Sequence, residues 1–146
     1  MRFCTRFSLP IWVRAVFALG ALLATVGCGD GRPTRVPVSG RVLIDGKPLS
    51  YGVVTFIPSD ARSSYGRLDN EGRFTLSCFS KDDGVVTGKH KVAVCAGETI
   101  GEDHLKWHAP KVYADHHTSE LEYEITGPTD SIVIELQWKG GRPFVE

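Results

Sequence analysis

The sequence predicts an all-β protein, an antiparallel sandwich of about seven strands behind a removable N-terminal leader. Three observations carry that prediction. Apolar residues recur with a period of two in short runs, turn signals rich in Gly, Pro, Asp and Asn separate the runs, and no long amphipathic helix follows residue 27. The chain has 146 residues and is 42% hydrophobic, enough apolar content for one packed domain. Sixteen glycines and eight prolines agree with a turn-rich fold, and no internal repeat of about 20–50 residues points to a solenoid.

The leader comes first. Residues 1–27 carry Arg2, Arg6 and Arg14 and no acid, and the uncharged stretch AVFALGALLATVG runs from Ala15 to Gly27. As a helix it would reach roughly 20 Å, short of a hydrocarbon core of about 30 Å. A basic start followed by so short an apolar run reads as a signal peptide rather than a permanent span. Its end, Ala24-Thr25-Val26-Gly27-Cys28, resembles the lipobox of bacterial lipoproteins, in which the Cys is acylated and becomes the new N-terminus. Thr25 departs from that motif, where Leu is usual, so secretory cleavage without lipid stands as the competing reading. Residues 28–37 form a Gly- and Pro-containing linker, short enough to keep the domain close to the membrane.

The body, residues 38–138, alternates from its first strand. Val38, Val42 and Ile44 are in phase, and Asp45-Gly46 is a tight-turn signal. GVVTFI at 52–57 is the next strand, closed by Pro58, which has no N–H to give to a ladder. Tyr65 to Leu68 is a short strand. The turn Asp69-Asn70-Glu71-Gly72 leads into a strand with Phe74, Leu76 and Cys78 on one face, and Lys89 to Cys95 alternates His90, Val92 and Val94. Residues 96–112 break the rhythm: the loop is acidic, and His104 to His108 is expected as one helical turn. Leu121, Tyr123 and Ile125 resume the alternation, then Ile132, Ile134, Leu136 and Trp138. Residues 139–146 read as a loose tail.

Several of these stretches resemble a known family. Gly40-x-Val42-x-x-Asp45-Gly46-x-Pro48-Leu49 with Gly52-x-Val54-x-Phe56-x-Pro58, then Asp69-x-x-Gly72-x-Phe74-x-Leu76 and Gly88-x-His90-x-Val92-x-Val94, are similar to the carboxypeptidase regulatory-like, or transthyretin-like, domain. His90 stands where that family usually has Tyr. Pro110-x-x-Tyr113-x-Asp115-x-x-Thr118-Ser119-x-Leu121 looks like the C-terminal part of small bacterial envelope lipoproteins that contain this domain. The resemblance implies a Greek-key sandwich and an envelope location, and it implies no reaction, catalytic residue or cofactor.

Chemistry is sparse. Seventeen Lys and Arg balance seventeen Asp and Glu, which argues against a broad nucleic-acid footprint. Without the leader, and with Cys28 acylated, Cys78 and Cys95 remain as a pair in an oxidising compartment, candidates for a disulfide. Strand parity speaks against the bond, because Cys95 is out of phase with Val92 and Val94; a bulge near Ala96-Gly97 would repair it, and both alternatives stay open. His104, His108, His116 and His117 cluster in the later loops. At a spacing of four, His104 and His108 would share one face of a helical turn and could supply two ligands to a divalent metal, with solvated loop histidines as the plainer reading. Trp107 and Tyr113 are candidate ligand-contact aromatics for a glycan, and Tyr51 and Tyr65 also lie in or beside loops; packing is the plainer reading for all of them. No nucleophile elbow, phosphate loop, dinucleotide fingerprint or C-x-x-C occurs, so an enzyme is not expected. The sequence thus reads as a non-catalytic, membrane-anchored envelope protein. It would offer its 58–65 and 96–118 loops to a protein or polysaccharide partner, or use the 96–118 loop to bind a glycan or divalent metal.

Overall fold

The computed structural model describes residues 31–146; the leader, the expected signal helix and the candidate acylation site Cys28 lie outside the described residues. The chain enters at β1 (Arg35–Val36) and continues into β2 (Val38–Ile44), where Val38 and Val42 are buried. Asp45 and Gly46 take φ values of 48° and 76°, the two left-handed residues that a type I′ turn demands, and send the chain back into β3 (Lys47–Pro48). β4 (Val53–Pro58) buries Val54 and Phe56 and hands over to β5 (Ser64–Arg67). β6 (Arg73–Thr75), β7 (Val85–Val86) and β8 (Gly88–Cys95) follow, and β8 turns His90, Val92 and Val94 inward. β9 (Gly97–Ile100) and β10 (His104–Trp107) form a hairpin, and a single 3-10 turn covers Lys111–Ala114. β11 (Leu121–Ile125), β12 (Thr129–Leu136) and β13 (Phe144–Val145) complete the described chain.

These strands make two principal sheets. One is antiparallel throughout, in the order β11-β8-β4-β5. In the other, β2 lies between β12 on one side and β3 and β6 on the other. β12 runs parallel to β2, a departure from the all-antiparallel layout expected of the sequence. Gly40 permits this approach: a Cβ there would sit 2.2 Å from the Ile132 carbonyl oxygen. The sheets meet at one edge, where Tyr65 in β5 and Ser77 just beyond β6 exchange two backbone hydrogen bonds of 2.9 Å.

Residues from both sheets share one apolar core. Phe56 lies at its centre, fully buried, with its ring 6.3 Å from Phe74 and 5.9 Å from both His90 and Tyr123. Each such large side chain contributes about 1.5–3 kcal/mol when fully buried.

Two local expectations are corrected. Residues 104–107 are a strand rather than a helical turn, because Leu105 and Lys106 pair in register with Thr99 and Glu98 across a hairpin. The end of the tail is not loose: Phe144 and Val145 pair with Trp107 and Lys106, and the backbones of Glu146 and Leu105 exchange hydrogen bonds of 2.8 and 3.0 Å.

Candidate functional site

An open groove of about 940 Å³ lies on the solvent side of the seam between the two sheets. Strand parity builds its floor. Val38 and Val42 point into the core, so Ser39 and Arg41 of β2 point out; Phe74 points in, so Arg73 and Thr75 of β6 point out. Tyr65 and Arg67 are the outward residues of β5, and Tyr65 is 53% exposed.

The register gives this face an unusual charge pattern. Arg41 and Arg73 are directly opposite on neighbouring antiparallel strands, a placement that costs stability because like charges repel at that spacing. Continuing the Tyr65–Ser77 register sets Arg67 opposite Thr75, one diagonal step from Arg73. Arg62 and Lys81 stand at the far end. Five of the fourteen Lys and Arg beyond residue 27 line the groove, against three of the seventeen Asp and Glu. Beyond residue 27 the chain is otherwise mildly acidic, so the groove is a basic face on an acidic body.

Arg73 reaches Glu71 at 2.8 Å, while among the described residues no carboxylate lies within ion-pair distance of Arg41, Arg67 or Lys81. One of the three rim acids, Asp69, is committed to the backbone. Asp69 accepts 2.8 Å hydrogen bonds from the Arg73 and Glu71 N–H groups; the Arg73 bond, chiefly, holds its carboxyl below the usual range, against some desolvation.

The end wall is fixed by Asp83. Its carboxylate accepts from the backbone N–H groups of Cys78 (2.6 Å), Phe79 (3.1 Å) and Ser80 (3.1 Å) and stands 3.0 Å from Arg35 Nε, an ion pair that lacks hydrogen-bond alignment. Desolvation pushes this carboxyl up, but the three N–H groups and Arg35 outweigh it and leave it below its ordinary value. The guanidinium groups of Arg35 and Arg62 lie 4.9 and 5.2 Å from the Phe79 ring centroid.

The residues singled out in the sequence fall elsewhere. Cys78 is buried, with Sγ directed at the Arg62 carbonyl oxygen (3.7 Å), and Cys95 is exposed; both are free thiols. Cys95 pairs with Val53 and Val53 with Arg67, whereas Cys78 follows the residue that pairs with Tyr65. Two intervening strands at about 4.8 Å each keep the Cα atoms beyond the roughly 7 Å limit for a disulfide. The candidate bond is therefore absent.

The four later histidines do not converge. His104 is exposed on β10, and His108 lies beyond the end of that strand, at hydrogen-bond distance (2.7 Å) from Glu98 and 5.3 Å from the Tyr51 ring. His116 and His117 do come together, with ring centroids 3.9 Å apart, and with Asp115 they offer three ligand atoms within 4.8 Å of one another. Trp107 is not an open platform. It is buried, its Nε1–H donates to Glu146 Oε1 (2.8 Å), and Lys111 Nζ, which also binds Glu146, stands 5.4 Å from its ring centroid. Tyr113 is half-buried against the core and accepts at its hydroxyl from the Gln137 N–H (3.3 Å). Its place is structural.

The groove arginines escaped the sequence reading because they sit on three separate strands, β2, β5 and β6, and β2 lies well before the other two in the chain. The available signal was parity, since each occupies an outward position, but only strand order and register make neighbours of them. Comparison with protein-family models, curated proteins and solved structures finds no match to this chain.

Proposed function

We propose that this chain is an exported envelope protein, acylated at Cys28, whose transthyretin-like Greek-key sandwich works by binding rather than by catalysis. The basic start, the 13-residue apolar stretch from Ala15 to Gly27 and the Gly27-Cys28 end support export and anchoring. A lipidated Cys28 would be joined to the compact unit that begins at Pro33 by only a few residues, holding its surface near the bilayer. The observation that carries the binding reading is the open groove with its exposed Tyr65 ring and its excess of cations over acids. It supports a ligand-binding module over a flat presenting surface, and on this reading the binding face is the sheet seam rather than the 96–118 loop.

The test is mass spectrometry of the N-terminus after expression in a bacterial host, with Cys28→Ser as control. The expected product begins at Cys28, carries acyl chains and enters the detergent phase, whereas the variant does none of these. A full-length chain with Met1 in place and no lipid would overturn the anchoring.

A divalent-metal module is the second reading, supported by the convergence of Asp115, His116 and His117. It expects calorimetric heat with submillimolar Zn²⁺ that His117→Ala removes; no heat from the parent chain would end it.

A further inference from the structure

We infer that the seam groove binds an acidic polysaccharide, a polymer whose sugar rings carry carboxylate groups. The inference rests on the binding reading above and adds a ligand class and a site.

The groove is open and concave and is lined from β2, β5, β6 and β12, which suits a chain lying across strands better than an enclosed small molecule. Arg41, Arg67 and Arg73 occupy one outward face on three adjacent strands. Planar guanidinium groups match carboxylates two bonds at a time; among the described residues Arg41 feels Asp69 only at longer range, and neither Arg41 nor Arg67 makes a direct ion pair. A bound anion would also relieve the repulsion between Arg41 and Arg73. Tyr65 supplies an exposed ring beside these charges, an apolar face for the C–H side of a sugar with a polar hydroxyl at its tip. The hydroxyls of Ser39, Thr75 and others along the groove suit a ligand rich in hydroxyls itself. Nucleic acid fits less well, because the groove offers one exposed ring rather than a series of stacking platforms and the chain carries no net positive charge.

The experiment is affinity electrophoresis of the full chain in mild neutral detergent, in native gels containing polygalacturonate or neutral dextran. Polygalacturonate should retard the protein and dextran should not, with the retardation falling as salt rises. The double variant R67Q/K81Q should weaken the apparent affinity at least tenfold, and Tyr65→Ser should weaken it several-fold. Lys47→Gln, which removes an exposed cation outside the groove, should leave it unchanged. Circular dichroism of each variant separates lost binding from lost fold. No retardation of a folded parent chain, equal losses in Lys47→Gln and R67Q/K81Q, or tighter binding to phosphatidylglycerol vesicles or single-stranded DNA than to polygalacturonate would each overturn the inference. The readout does not depend on Cys28 modification, so failure here is distinguishable from failure of the anchoring.

Discussion

His90 shows how one residue ties packing to pH. It is 2% exposed against Phe56; Nε2 lies 2.9 Å from the Val86 carbonyl oxygen, and Nδ1 has no partner. That geometry selects the neutral ring with the proton on Nε2, and desolvation lowers the pKa below the ordinary 6.5, opposed in part by the Val86 bond. The sign follows directly. As pH falls through 6.5 the unfolded chain takes up a proton that the folded chain refuses, so stability is full above that pH and declines below it until the folded pKa is reached. Urea midpoints measured from pH 7.5 to 5 should therefore fall more steeply for the parent chain than for His90→Phe. Superimposable slopes would mean that the ring is solvated in the folded state.

At the scale of elements, the β2–β6 ladder and the C-terminal strand make opposite demands. The ladder sets Arg41 against Arg73, so Arg41→Gln should stabilise the fold by about 0.2–1 kcal/mol at low ionic strength. The gain should shrink in high salt, because screening already weakens the repulsion. Chemical denaturation at two salt concentrations checks both statements, and destabilisation at low salt would show that the arginine stem packs more than its charge repels. The C-terminal strand instead closes a cluster in which Phe144 and Lys111 cover Trp107. Deleting residues 144–146 should red-shift tryptophan fluorescence as Trp107 meets water. It should also lower the melting midpoint by roughly 4–8 °C, the shift that about 1 kcal/mol from the lost backbone pairs makes in a domain of this size. An unchanged spectrum would remove Trp107 from under the tail. Parity reasoning found the long strands here, because one buried face imposes a two-residue period. It missed β10, which mixes polar and apolar residues without such a period, and β13, which is only two exposed apolar residues long and pairs with β10 almost forty residues away.

Across the whole molecule, charge is sorted by face. On the outer surface of β11 and β8, the register sets Glu122 opposite Lys91 and Glu124 opposite Lys89, unlike charges across the ladder as expected of a solvated strand face. On the seam, cations face cations. Net neutrality therefore conceals a basic face, and the bulk charge that argues against a broad nucleic-acid footprint says nothing about a local acidic ligand. The sequence by itself determined the all-β class, the Asp45-Gly46 turn and the buried positions of the long strands. Those follow from local backbone conformation and from the alternation of apolar side chains, both written within a few residues. Only the tertiary structure decided that β12 lies parallel to β2, that Cys78 and Cys95 are held apart, that Trp107 is covered, and that arginines from three strands share one groove. Each of those depends on which strands become neighbours and in what register, and that is settled by contacts between segments distant in the chain.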